Sequence, residues 1–263
     1  MIGRVWAAYQ FELGKAAHQR GIYAGPFALI ILLAGLWLTF TRGETDVDGL
    51  RFIAFATPVT LNLFGLLLIL AFSAGLVASE VSAGTLKLPL TRPIRRYELL
   101  AGKIFLAMTY ATMLTGLVGA ISWGVAVGVH GVNTVEYGGE VWYTGTEMFW
   151  TYCLCAALGL APLFAACAYG VMWSALMPNA GSAIAAAIMS WFLADLLKEP
   201  LGVTPFVFTS YVETSWQVFS DRCDLMDPRW TPDAYRSIAA SATAFFVCGG
   251  IAHIAFDRRN ICK

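Results

Sequence analysis

The residues best placed to do chemistry lie in one stretch, 79–103, which reads SEVSAGTLKLPLTRPIRRYELLAGK. Lys87, Arg92, Arg95, Arg96 and Lys103 are five of the chain's seventeen Lys and Arg, set between two of its most apolar segments. Ser79-Glu80-Val81-Ser82 reads as a helix start, and Gly84-Thr85 as a turn. Leu86, Leu88 and Leu90 stand among polar residues, and Pro89 and Pro93 forbid one continuous helix. Arg95-Arg96-Tyr97-Glu98-Leu99-Leu100 resumes a helix. The chemistry this pattern serves is recognition: leucines to dock in a groove, charges to fix the orientation. A basic anchor touching lipid headgroups fits the same spacing.

Bond-making constellations are missing from the sequence. A phosphate-binding loop needs G-x-x-x-x-G-K-[ST] after a strand. The Gly-Lys pairs, Gly14-Lys15 and Gly102-Lys103, are followed by Ala and Ile. H-E-x-x-H and G-x-S-x-G do not occur, and the three His are far apart. Six Cys (Cys153, Cys155, Cys167, Cys223, Cys248 and Cys262) form no disulfide framework. Cys153 and Cys155, two apart on a helix, point to different faces and make a poor metal chelate. No metal site is expected.

Two polar residues fall inside apolar runs, where a charge is expensive and tends to face protein or water. Asn62 either faces a protein or water-filled interior or satisfies backbone loosened by Pro58. Asp195 either faces such an interior or reaches the interface beside Lys198.

The elements that position these residues follow from composition. The 263 residues are 58% hydrophobic and 13% charged, with a mean hydropathy of +0.66. A soluble domain carries about 25% charged residues. Runs long enough to cross a bilayer as helices occur at about 22–40, 52–78, 103–128, 147–176, 180–197 and 235–256. The fold class is therefore all-α: a polytopic membrane protein with six transmembrane helices, read as the single domain 1–263. Residues 1–21 form an amphipathic helix with Ile2, Val5, Trp6, Tyr9, Leu13 and Ala16 on one stripe and Arg4, Glu12, Lys15 and Gln19 opposite. Such a helix lies in the membrane interface. Pro162 marks a kink.

Counting Lys and Arg alone sets the orientation. With both termini cytoplasmic, eleven lie inside and six outside, which makes 79–103 cytoplasmic and 198–234 extracytoplasmic. Within that outer loop, Phe208, Tyr211, Val212, Trp216 and Phe219 recur at helical spacing. Its Asp221, Asp224, Asp227 and Asp233 lack the spacing of an EF-hand and read as solvated. Small residues at four-residue spacing, Ala157, Ala161 and Ala165, suit close helix packing. No basic surface suited to nucleic acid is present.

Glu80, Gly84-Thr85-Leu86, Arg92-Pro93-Ile94-Arg95-Arg96, Glu98-Leu99-Leu100 and Gly102-Lys103 together resemble the signature of ABC transporter permeases of the type-2 exporter family. Arg95 stands where that family usually has Ser or Thr, and Pro89 is also unusual. The resemblance implies that 79–103 contains a coupling helix seated in a cleft of a separate ATP-binding subunit. It implies ATPase-coupling roles for Glu80, Gly84, Thr85, Leu86, Pro93, Arg95, Arg96, Glu98, Gly102 and Lys103. It further implies a permease subunit of an exporter in the inner (plasma) membrane, with ATP and Mg on the partner and no cofactor in this chain. The chain would pair with a second copy or a related permease, within membrane lipid, with a translocation path that Asn62 and Asp195 would face and that short outer helices would cap. The alternative is a membrane scaffold or mechanotransmission subunit of an ABC-type complex. That reading calls for a large outer domain, whereas the longest outer loop is about 37 residues.

Overall fold

A computed structural model describes residues 2–19, 21–43, 48–85, 95–132, 134–137, 140–226 and 231–259. Among them, six helices are long and apolar enough to cross a membrane, and the protein is an all-α, integral, multi-pass membrane protein. Helix α1 (Ile2–His18) precedes the first span, α2 (Gly21–Gly43). The second span combines α3 (Gly49–Pro58), a π-helical segment (Val59–Gly65) and α4 (Leu66–Ser82). The third is α5 (Arg96–Val125) and the fourth α6 (Gly145–Leu176). The fifth is α7 (Ala180–Leu197) and the sixth α9 (Thr231–Arg258), with α8 (Tyr211–Cys223) between them.

The π-helical segment directly follows Pro58. Proline has no N–H to donate and its ring crowds the preceding turn, and beyond it the ladder continues in a wider register. The Leu66 N–H reaches back to the Leu61 carbonyl, five residues away. Asn62 lies within this wide turn. After the third span, Val135–Tyr137 pairs antiparallel with Glu140–Tyr143. This hairpin leads to α6, where the side chains of Thr144 and Glu147 cap reciprocally.

The core is built by the second, third and fourth spans, about half buried, whereas the first, fifth and sixth are 17% buried and face outward. Small residues allow a close crossing: a Cβ on Gly170 of α6 would collide with Ser73 Oγ of α4. One turn on, Ser174 Oγ accepts from the Val77 and Ala78 N–H groups at 2.9 Å. Outside the spans, α8 folds down onto the bundle. Tyr211, Val212, Trp216, Phe219 and, from the turn before it, Phe208 are all buried, on the spacing the sequence shows. Arg222 pins this helix, donating to Thr151 Oγ1 at 2.5 Å and lying over the Tyr143 ring.

Two sequence-based expectations are corrected here. Residues 79–82 are the last turn of the second span, not a helix start. On α1 the buried face is Ala8, Glu12 and Ala16, whereas Trp6 and Leu13 of the apolar stripe point outward. An interfacial helix has lipid on one side, so its large apolar residues turn there and its small ones pack on the bundle.

Candidate functional site

The second span ends where its sequence allows a reversal. Ala83 caps α4, and Gly84 takes φ +67°, the left-handed conformation that glycine adopts without penalty. The Thr85 N–H reaches the Glu80 carbonyl at 3.0 Å and the Gly84 N–H the Val81 carbonyl at 3.1 Å. These paired bonds form a Schellman cap. Beyond it Ser82, Ala83, Gly84 and Thr85 are exposed, as is Arg95 where the chain re-enters α5. Leu86 and Pro93 lie outside the described residues.

Inside the cap, a charge cluster joins three helices. Lys103 of α5 is 1% exposed, Glu12 of α1 2% and Glu80 of α4 5%. Lys103 Nζ donates to Glu12 Oε2 at 3.1 Å and to the Leu76 carbonyl at 3.2 Å, and lies 2.8 Å from Glu80 Oε1. The ammonium thus has two hydrogen bonds and a second carboxylate as ion-pair partner. Lys15 also pairs with Glu80 Oε1. Glu80 sits where the helix dipole is negative, a poor place for a carboxylate, and the two lysines offset that.

Gly102 makes the cluster possible. A Cβ there would lie 3.1 Å from the Tyr9 nitrogen and 3.2 Å from Ala8 atoms. The missing side chain lets α1 approach until Glu12 reaches Lys103. Tyr9 and Thr109 add a hydroxyl–hydroxyl bond at 2.9 Å along the same seam.

The other motif residues tie helix ends together. Glu98 accepts from the Arg95 backbone N–H at 2.9 Å, closing the first turn of α5. Arg96 donates to the carbonyls of Asp257 at 2.9 Å and Arg259 at 3.1 Å, covering the end of α9. Arg259 in turn donates to the carbonyls of Ala175 at 2.9 Å and Met177 at 2.7 Å, covering the end of α6. Cations at helix C-termini satisfy orphan carbonyls and the dipole together. The structure thus brings Glu80, Gly102 and Lys103 into one cluster and places Arg96 and Glu98 at neighbouring caps.

The sequence model described as ABC-2 family transporter protein matches residues 7–228. The chain belongs to the ABC-2 transporter family. A comparison with curated proteins finds no match. As an ABC-2 family member the chain is a permease subunit of an ABC transporter, the membrane part of a complex whose family works with an ABC ATP-binding subunit.

Asn62 and Asp195 occupy unlike surroundings. Asn62 lines a groove of about 490 Å³ between the π-helical segment and α8, with Pro58, Glu213, Trp216 and Gln217. Asp195 is half-exposed and paired with Lys198, as an interfacial residue would be. The functional candidates that the sequence reading missed are Glu12, Lys15 and Arg259. For Glu12 a signal existed: Ala8, Glu12 and Ala16 recur every fourth residue, which places a carboxylate inside a small-residue packing stripe.

Proposed function

We propose that this ABC-2 permease is the transmembrane half of an exporter, driven by ATP hydrolysis on a separate subunit that grips the break between the second and third spans. The observation that carries this reading is the buried Lys103–Glu80–Glu12 cluster. It ties both flanks of the break to each other and to α1. Push on the break would therefore move three helices together, and Arg96 and Arg259 would extend the displacement to α9 and α6. Glu80, Gly102, Lys103, Arg96 and Glu98 act in this scheme as positioning residues. Gly84, Thr85 and Arg95, together with Leu86 and Pro93, belong to the part the partner touches.

Lys15, Lys103, Arg95, Arg96, Arg258 and Arg259 gather at one end of the bundle, which supports cytoplasmic termini in an inner membrane. Outward-facing first, fifth and sixth spans leave room for a second permease copy. ATP and Mg would be held by the partner. The outer segment lies folded on the spans through α8, a shape suited to covering a path rather than to relaying motion outward.

The test is co-expression with candidate ABC ATPases and reconstitution of the purified complex. Replacing residues 85–95 by a Gly/Ser linker should abolish co-purification and permease-stimulated ATPase activity while the spans still insert. Retention of both would overturn the proposal.

A further inference from the structure

Beside the charge cluster the helices leave a pocket of about 210 Å³. Glu12 and Lys15 of α1, Phe72, Gly75 and Glu80 of the second span, and Lys103 of the third line it. Each buried carboxylate gives one oxygen to Lys103. The second oxygens, Glu12 Oε1 and Glu80 Oε2, have no hydrogen-bond partner among the described residues. A buried carboxylate oxygen without a donor is strongly unfavourable, and two beside one pocket call for a ligand that brings N–H groups. Lys103 already donates to Glu12 Oε2 and the Leu76 carbonyl and is ion-paired with Glu80 Oε1.

Charge narrows the ligand. Two carboxylates and two ammonium groups balance, so a bare cation or a bare anion would leave a net charge in a poorly solvated site. A zwitterion would not. Position narrows it again, because the pocket opens where an interfacial helix meets the ends of two spans, the depth of lipid headgroups. Lys15, with a side chain 37% exposed, is the accessible member of the cluster, and an ammonium has donors to spare for a phosphate.

We propose that this pocket binds the headgroup of phosphatidylethanolamine. On binding, the two carboxylates turn toward the pocket so that its ammonium donates to Glu12 Oε1 and Glu80 Oε2, which are otherwise closed to it; its phosphate meets Lys15, and Phe72 packs against the carbons that follow. Phosphatidylcholine has the same charges but no N–H, so it leaves both oxygens without a donor. The site does not depend on which ATPase drives the complex.

The test uses the full chain in nanodiscs holding equal parts of phosphatidylethanolamine and phosphatidylcholine, followed by native mass spectrometry of the lipid retained after detergent release. Retention of the ethanolamine lipid should exceed that of the choline lipid at least tenfold. Gly75→Leu fills the pocket without meeting atoms at its Cβ, where nothing lies within 4 Å, and should remove the preference while the protein stays folded. Glu12→Gln should weaken it. Equal retention of the two lipids by the wild-type chain would overturn the proposal, as would an undiminished preference in Gly75→Leu. Soluble phosphoethanolamine should not displace the lipid at millimolar concentration; ready displacement would assign the pocket to a free metabolite and overturn the lipid assignment.

Discussion

Lys103 Nζ lies 2.8 Å from Glu80 Oε1, so a cation near the start of the third span is buried against the last turn of the second. Removing one member of a buried pair leaves the other uncompensated, at about 3–5 kcal/mol. Lys103→Met should destabilise the chain by that order, read as a fall in thermal unfolding midpoint in detergent. Adding Glu12→Gln and Glu80→Gln to Lys103→Met should recover much of the loss, because no buried charge is then left unpaired. ATPase coupling should stay low in the triple variant, whose helices have lost the tie.

Gly102→Val should detach α1. Its branched side chain enters space held by the Ala8 and Tyr9 backbone, and overpacking of this kind costs about 1–3 kcal/mol. Hydrogen exchange across residues 2–18 should rise well above exchange in α6, whereas uniform exchange would mean the seam tolerates the change.

Gly84→Ala isolates backbone conformation from packing, since nothing lies within 4 Å of the added Cβ. The left-handed conformation costs a non-glycine residue about 1–2 kcal/mol. Overall stability should drop by about that amount, with the fraction of ATPase stimulated by the permease falling further as the cap frays. An unchanged unfolding midpoint would contradict the cap assignment.

Arg259→Ala should free the carbonyls of Ala175 and Met177 that its guanidinium covers. Hydrogen bonds from a charged donor are worth about 1.5–3 kcal/mol. Protease sensitivity at the turn between α6 and α7 is the readout, expected to increase several-fold.

Cys223 should resist alkylation in the folded chain. Burial pushes its thiol up to about 12, and Sγ points at the Leu50 carbonyl 3.9 Å away. At neutral pH the reactive thiolate is therefore scarce, and maleimide labelling should require denaturant. The raised value also sets a sign for alkaline stability. The unfolded chain loses this proton near 9 and the folded chain holds it to about 12. Stability therefore falls as pH climbs through that window.

The six spans were legible because a bilayer demands long apolar runs, and the fifth span, Ala180–Leu197, has the bounds its composition predicts. The outer helix was legible too, since Tyr211, Val212, Trp216 and Phe219 share a face that must be buried somewhere. Of the candidate site, Glu80, Gly102 and Lys103 were visible as motif positions, but their mutual contact was not. Glu12 and Lys103 are 91 residues apart, and no local pattern pairs a carboxylate with a lysine at that distance. Glu12 misled for the same reason. Charge on an amphipathic helix ordinarily marks the wet face, and only a partner elsewhere in the chain makes burial favourable. Residues 79–82 carry an acid and small polar groups that suit a first turn equally well. What decides their direction is Gly84, whose positive φ ends a helix rather than starting one.

Helix α5 runs unbroken from Arg96 to Val125, 30 residues, or about 45 Å at 1.5 Å per residue. It begins at the break the ATPase is proposed to grip and ends near the opposite face of the bilayer. A rigid rod of that length is a lever with its short arm at the charge cluster. Tilting it by about 5° about that cluster would swing its far end by roughly 3 Å, about the width of a water molecule. An ångström-scale nudge at the break would thus arrive at the other end of the helix as a displacement large enough to part a seal.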